Sequence, residues 1–251
     1  VLGAAIATLI AQAVSAVLVT VTLMYRTEGM KLCLSQIRMY KRMLQSILKI
    51  GLPAGFEAIM YSISNIIVQV SINNFGVDTM AAWTAYSKID FIFWMINSAF
   101  GISVMTFVGQ NYGAGKWDRI RRGTKICLGM ALISAVSVSI ILMSAERFLF
   151  GIFVNDAGVV EIGIRMMNVI APAYLLFAFI EVFSGALRAQ GAVVVSTLIT
   201  MVGICVLRMI WVTLVAAHGT LEQVIICYPI TWAAGALAMS IYYIYKQRKD
   251  R

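Results

Sequence analysis

The chain has 251 residues, of which 61% are hydrophobic and 12% are charged, and its mean hydropathy is +0.88. A soluble domain of this length carries about 25% charged residues, so the composition excludes an ordinary soluble domain and predicts an all-α, multi-pass membrane protein. The formal net charge of +9 would suit a nucleic-acid partner, but the positions of the basic residues argue against one.

Seven apolar segments follow one another along the chain. Each is roughly 20 residues or longer, which is the length that crosses a hydrocarbon core. They are 1–25, 52–73, 80–108, 123–145, 159–187, 193–217 and 223–245. We therefore divide the chain into a first transmembrane helix (1–25), a linker (26–50), a six-helix transmembrane lobe (51–245) and a basic tail (246–251).

Basic residues concentrate on one side of these spans. Segments 26–50, 109–125, 188–192 and 246–251 hold 16 of the 20 lysines and arginines, whereas the connections on the other side hold only Arg147. Because short cytoplasmic loops are enriched in Lys and Arg, the pattern predicts a cytoplasmic C-terminus in the cell membrane. The positive charge is thus a topology signal, and we expect a lipid bilayer and no nucleic acid as surroundings.

The linker 26–50 has the pattern of a basic amphipathic helix. Its apolar residues recur at helical spacing at Leu34, Ile37, Tyr40, Leu44, Ile47 and Leu48. Such a helix lies on the membrane surface, either linking two lobes or acting as a simple anchor. The chain also begins inside an apolar run without a methionine, so we expect one half, or a fragment, of a longer protein.

Polar residues recur every fourth position along the second span. They are Glu57, Tyr61, Asn65, Gln69 and Asn73. Because such a series drifts by about 40° per step around a helix, all five cannot face one point, but the middle ones form a stripe. The stripe could line an aqueous cavity or bond to neighbouring helices. Glu57 could also be an interfacial acid that the helix dipole favours.

The third span carries an acid among aromatic residues. One face holds Trp83, Ser87, Asp90, Trp94, Asn97 and Gly101, since their spacing alternates between four and three residues. Asp90 lies near the middle of the bilayer, where a charged group is expensive and marks a functional site. A carboxylate between two tryptophans suits a lipophilic cation. Alternatively, Asp90 pairs with Lys88 or Arg208 and the tryptophans face lipid.

The fifth span combines Pro172 with Glu181. A proline frees a backbone carbonyl and can bend a helix, and broken helices near substrate sites are common in transporters. Glu181 could carry a proton, bind Na⁺ or pair with Arg188. We expect Arg208, in the sixth span, to be the structural partner of an acid.

Signatures of catalysis are missing from the sequence. The four cysteines are isolated, and we find no nucleophile–base pair, phosphate-binding loop or metal-ligand cluster. We therefore expect no enzyme, no metal site and no cofactor other than a coupling ion.

Five short motifs occur in order along the chain. They are Gly51-Leu52-Pro53, Asn73-Asn74-Phe75-Gly76, Tyr86-Ser87-Lys88-Ile89-Asp90, Gly109-Gln110-Asn111-Tyr112-Gly113-Ala114 and Ser184-Gly185-Ala186-Leu187-Arg188-Ala189-Gln190-Gly191. The fourth is the most specific, because a polar loop that needs several glycines is under tight constraint. In this order and spacing the motifs resemble those of the MATE (multidrug and toxic compound extrusion) efflux transporters.

The resemblance implies a fold, a function and a set of motif residues. The motif residues are Gly51, Pro53, Gly109, Gln110, Asn111, Gly113, Ala114, Gly185, Arg188 and Gly191. The implied fold has twelve helices in two lobes, of which this chain supplies helices six to twelve. The implied function is export of a drug or organic cation in exchange for H⁺ or Na⁺, with the first lobe supplied in cis or in trans.

The chain departs from the family pattern in three places. Ala189 stands where the family has glycine. The first lobe, where many members place an aspartate for the coupling ion, is absent. Some members carry an acid deeper in the seventh helix than Glu57, so the coupling-ion site is not transferred. Two alternatives remain: a lipid or lipid-linked sugar flippase of related architecture, and a non-transporting half that assembles with a partner.

Overall fold

The structure, a computed structural model, describes residues 2–25, 32–33, 38–215 and 219–249. The chain divides into two compact units, Val1–Leu48 and Lys49–Arg251. The first contains helix α1 (Leu2–Tyr25) and the start of α2 (Lys41–Asn73), and the second contains the remainder. Much of the predicted amphipathic linker, namely 26–31 and 34–37, lies outside the described residues.

The second unit is built from helices. After α2 come α3 (Val77–Gly113), α4 (Trp117–Ser144), α5 (Glu146–Phe153), α6 (Ala157–Ile170), α7 (Tyr174–Ala189), α8 (Val193–Thr200), α9 (Leu207–Ile210), α10 (Leu221–Ile225) and α11 (Cys227–Lys249). A 3-10 turn, Ala171–Ala173, joins α6 to α7, and two π-helical turns, Met201–Val206 and Trp211–Val215, flank α9. In the described chain, seven helical segments are long and apolar enough to cross a membrane, which confirms the predicted all-α fold with seven spans.

Helices α3 and α7 form the most extensive contact of the second unit. Their backbones approach closely where Gly185 meets Gly101, because a Cβ added at Gly185 would lie 2.8 Å from the Gly101 carbonyl oxygen. Small residues allow such close approach between membrane helices. The contact fixes α3, which carries Asp90, against the helix that carries Tyr174.

Two segments have ends in the structure that the sequence did not indicate. The second span and the end of the predicted linker helix form one continuous helix, α2, from Lys41, because 41–50 consist mostly of good helix formers, and Pro53 lies inside it. The predicted polar loop 109–116 is helical as far as Gly113, with Gly115 adopting a positive φ of 67° in the short turn that follows. Gly109 faces α7, where an added Cβ would lie 4.0 Å from the Ala189 side chain.

The predicted proline break is present, and one further helix was not foreseen. Pro172 lies in the 3-10 turn that interrupts the fifth span. Helix α5 fills what the sequence suggested was a loop, and its Phe150 is buried against Gly163 of α6, where even a Cβ would collide with the ring.

Candidate functional site

A cavity of about 410 Å³ opens among the helices of the second unit. It is lined by Tyr61, Asn65, Gln69, Trp83, Tyr86, Ser87, Asp90, Phe91, Trp94, Ile170, Tyr228 and Trp232. These residues come from α2, α3, α6 and α11, so the packing of distant spans creates the cavity. Among its described lining residues, Asp90 is the one aspartate, glutamate, lysine or arginine.

Asp90 is held in the cavity wall by neutral hydrogen-bond donors. Trp94 Nε1 donates to Asp90 Oδ2 at 2.6 Å, and the Tyr174 hydroxyl donates to Asp90 Oδ1. The Tyr86 hydroxyl lies 3.2 Å from the Tyr174 hydroxyl and extends this chain of hydrogen bonds. None of the three ion pairs in the described part of the chain involves Asp90. The carboxylate is therefore positioned by its neighbours without being neutralised by a cation.

Aromatic rings surround this carboxylate. Trp94 packs edge-on against Trp232, with ring centroids 6.2 Å apart, and against Tyr61 at 6.5 Å. Trp83 stacks on Tyr86 with centroids 5.3 Å apart. The alternative in which the tryptophans simply face lipid does not describe Trp94, whose ring contacts its protein neighbours. Negative ring faces and a carboxylate together attract a cation.

Arg208 lies behind the part of the cavity wall formed by Asn65 and Tyr228, and it is fully buried. Its Nη1 donates to Asn65 Oδ1 at 3.1 Å, and its guanidinium carbon lies 4.2 Å from the Tyr228 ring centroid and 5.7 Å from that of Tyr61. Within the described residues it has no carboxylate partner, so our expectation that it pairs with an acid is wrong. The predicted alternative of an Asp90–Lys88 or Asp90–Arg208 ion pair is not observed either.

The cavity brings together many of the residues singled out from the sequence. Lining residues from that set are Tyr61, Asn65, Gln69, Trp83, Asp90 and Trp94. Asn97, on the same predicted face, is instead buried outside the lining, and its Nδ2 has no partner in the described part of the molecule. In the polar series along α2, the middle residues Tyr61, Asn65 and Gln69 line the cavity, whereas Glu57 and Asn73 at its ends do not. This agrees with the expected rotation of about 40° per step around the helix.

The other two predicted acids lie near a separate polar contact. Glu57 accepts both Arg188 Nη2 at 2.7 Å and the Thr197 hydroxyl at 3.0 Å, joining α2 to α7 and α8. Of the three roles that the sequence left open for Glu181, the pair with Arg188 is not observed, because Arg188 pairs with Glu57. Glu181 packs against Gly101, where an added Cβ would collide with its carboxylate.

The sequence reasoning missed three aromatic contributors. Tyr174, Tyr228 and Trp232 come from α7 and α11, far along the chain from Asp90. No local spacing could connect them with α3. The one available signal was Pro172, which marked the neighbourhood of Tyr174 as a broken helix near a possible site.

Comparisons with known proteins agree with this architecture. The chain is 25% identical over 218 residues to the probable multidrug resistance protein YoeA of Bacillus subtilis, covering 86% of this chain and 47% of that protein. It is 22% identical over 158 residues to the multidrug and toxin extrusion protein 1 of Homo sapiens, covering 61% of this chain and 28% of that protein.

Solved structures show the same fold. A multidrug resistance MATE family transporter of the MOP superfamily, in an outward-facing conformation, superposes with a TM-score of 0.88 at 18% identity, covering 99% of this chain and 56% of that one. A MOP superfamily transporter from Pyrococcus furiosus, described as having a binding pocket of reverse polarity, gives a TM-score of 0.89 at 17% identity with the same coverage.

The lengths of these matches show which family the chain belongs to and how much of a full-length relative it covers. The chain spans about half the length of the relatives that it matches. The MatE family matches residues 53–214, which is more than half of this chain. The chain therefore belongs to the MatE family of multi-pass membrane transporters.

Proposed function

We propose that this chain is the C-terminal lobe of an antiporter that exports drugs or organic cations across the cell membrane in exchange for H⁺ or Na⁺. The observation that carries the proposal is the Asp90 carboxylate in the wall of an aromatic cavity, where no described basic residue pairs with it. The first lobe would complete the transporter, in cis or in trans. The C-terminus would face the cytoplasm, as the distribution of basic residues predicts.

The cavity favours a cationic substrate. Asp90 supplies charge, and Trp83, Trp94 and Tyr86 supply ring faces that attract cations by about 0.5–2 kcal/mol each, more when water is excluded. The relatives named above are a probable multidrug resistance protein and a multidrug and toxin extrusion protein, which agrees with such a substrate.

Coupling would follow from competition at the same carboxylate. When H⁺ or Na⁺ occupies Asp90, its charge is cancelled and the organic cation loses its strongest attraction. The two ligands would then favour different conformations, as exchange requires, since a ligand shifts an equilibrium only through differential affinity. Tyr174 and Trp94, which donate to Asp90, would hold the carboxylate in place throughout.

The test is extrusion of a fluorescent cationic dye by a complete transporter containing this lobe. We expect Asp90→Asn to slow extrusion by about tenfold or more, because a hydrogen bond to a charged group is worth about 1.5–3 kcal/mol. Asp78→Asn is the matched control, since Asp78 is an exposed acid on the same helix. Equal extrusion by both variants would show that Asp90 does not carry the substrate site.

The alternatives give different results in the same assay. A flippase for a lipid or lipid-linked sugar needs a basic cavity to hold a phosphate, and it would move no dye in either variant. A non-transporting half would be inert even beside the first lobe. Imposing a proton gradient and a sodium gradient separately on dye-loaded vesicles identifies the coupling ion.

A further inference from the structure

A second cavity, also of about 410 Å³, lies at the beginning of α4 and the end of α11. It is lined by Arg121, Lys125, Tyr243, Ile244, Gln247 and Arg248, and it shares no residue with the Asp90 cavity. Three of its described lining residues are basic and none is acidic. Its electrostatic character is therefore opposite to that of the proposed transport site.

The basic residues of this second cavity have no carboxylate partner among the described residues. Within the described part of the chain, no carboxylate lies within 4.0 Å of Arg121, Lys125 or Arg248. Arg121 donates to the Gln247 backbone oxygen at 3.0 Å, and Gln247 Nε2 in turn donates to Gln190 Oε1 at 3.0 Å. The guanidinium is thus fixed in position while its positive charge is left uncompensated.

Helix stability does not explain the charges on α4. Arg121 stands in the second turn of this helix and Lys125 in the third, beyond the terminal turn in which the macrodipole acts, so the helix itself stabilises neither charge. On α11, by contrast, Arg248 is in the last turn and complements the dipole there.

Tyr243 provides a separate indication of a ligand. Its side chain is 7% exposed, and among the described residues its hydroxyl has no partner at normal hydrogen-bond geometry. Its polar neighbour Thr124 donates to the Ile120 carbonyl oxygen, so Thr124 can offer the Tyr243 hydroxyl an acceptor oxygen but no proton. Burying a hydroxyl without a hydrogen-bond partner costs about 1–3 kcal/mol of folding free energy. A ligand oxygen inside the cavity that accepts this hydroxyl would offset part of the cost.

The position of the cavity identifies the source of the anion. It lies where one apolar span (Trp117–Ser144) begins and another (Leu221–Lys249) ends, and Ile244 in its wall is half exposed. A headgroup therefore meets basic side chains while its acyl chains meet apolar ones. We propose that this cavity binds the phosphate of an acidic phospholipid in the cytoplasmic leaflet, a class of ligand that basic pockets between transmembrane helices recognise.

The test measures lipid retention by native mass spectrometry of the full 251-residue chain in detergent with phosphatidylglycerol or phosphatidylcholine. We expect preferential retention of phosphatidylglycerol. The double variant Lys125→Gln/Arg248→Gln should weaken that retention by about twentyfold, at roughly fivefold per basic side chain. Tyr243→Phe should weaken it by about threefold to tenfold without affecting folding, because the ring still stacks on Phe183 and the hydroxyl has no protein partner.

The control removes the same charge from exposed positions nearby. Arg119→Gln/Arg122→Gln changes two exposed basic residues in the first two turns of α4 that do not line the cavity, and it should retain phosphatidylglycerol normally. Equal losses in the two double variants would reduce the effect to diffuse surface charge and overturn the proposal. Displacement of the lipid by millimolar inorganic phosphate would overturn it in favour of a free-phosphate site. The readout needs no transport, so it is independent of the proposed antiport.

Discussion

Arg208 and Asp90 are two charges in one neighbourhood that do not pair with each other. Arg208 bonds to Asn65 and Thr231 and lies over the Tyr228 ring, whereas Asp90 accepts bonds from neutral donors. Burying a charge without a counter-ion costs several kcal/mol. This arrangement therefore costs stability, and we infer that both charges serve function, Asp90 in the cavity wall and Arg208 behind it.

Arg208→Met should consequently leave the fold as stable as before or make it more stable. The substitution keeps most of the volume, and it leaves no buried group unpaired, because Asn65 is exposed and Thr231 also donates to the Cys227 carbonyl oxygen. We expect the free energy of unfolding to change by less than about 1.5 kcal/mol. Denaturant unfolding of the purified chain in detergent, followed by tryptophan fluorescence, measures it.

Arg208→Ala is the companion variant, because it removes the same charge and also leaves a void. We expect Arg208→Ala to lower the free energy of unfolding by about 2–5 kcal/mol. If Arg208→Met loses as much as Arg208→Ala, then the hydrogen bonds and ring contacts of the guanidinium stabilise the fold, and the argument for a functional charge fails.

At the scale of helices, the contact of α3 with α7 depends on two glycines. A Cβ at Gly185 would lie 2.8 Å from the Gly101 carbonyl oxygen and 2.9 Å from Val104 Cγ1, so the backbones would have to separate. We expect Gly185→Ala to destabilise the fold by about 1–3 kcal/mol. Gly129→Ala, in α4 with open space around it, should instead be neutral or gain up to about 1 kcal/mol in helix propensity. Matching unfolding curves for both variants would contradict this account.

The Glu57–Arg188 ion pair is the main polar link between α2 and α7. Its side chains are 13% and 31% exposed, and the Thr197 hydroxyl also donates to Glu57. We expect Glu57→Gln to lower the free energy of unfolding by about 1–2 kcal/mol. This is at the low end of what a hydrogen bond to a charged group contributes, because the pair is partly exposed to solvent. Glu161→Gln, which removes an exposed pair with Arg147, should cost less than about 1 kcal/mol. A double-mutant cycle with Arg188→Gln isolates the coupling, and a coupling near zero would contradict the prediction.

Whole spans could be predicted from the sequence, whereas their interruptions could not. Length and hydropathy define a span, because lipid accepts only apolar segments of sufficient length. Pro172 indicated the interruption at the 3-10 turn, because proline has no backbone N–H to donate within a helix. The π-helical turns on either side of α9 have no such marker in the sequence, and the first of them, Met201–Val206, packs against α11 from far along the chain.

The candidate site divides in the same way. The face containing Trp83, Asp90 and Trp94 follows from helical periodicity within a single span. Tyr174 and Trp232 depend on which spans are neighbours, and that information is not local. The Arg188 partner of Glu57 was missed for the same reason, because the two residues are 131 positions apart.

At the scale of the whole molecule, the Asp90 cavity is built from one lobe, while the relatives are about twice as long as this chain. A two-lobe exchanger needs two bodies that move against each other around a central site, so one lobe alone has no second wall to alternate with. We therefore expect the 251-residue chain, reconstituted by itself, to bind a cationic dye weakly and to transport none.

Adding the first lobe of the same transporter, fused or co-expressed, should restore dye transport driven by an ion gradient. The measurement compares dye movement in vesicles that hold this lobe alone, the first lobe alone, or both. Asp90→Asn in the combined sample distinguishes transport through this lobe from leakage. Transport by this chain alone at the rate of the pair would contradict the two-lobe mechanism, and it would mean that two copies of this lobe form the missing wall.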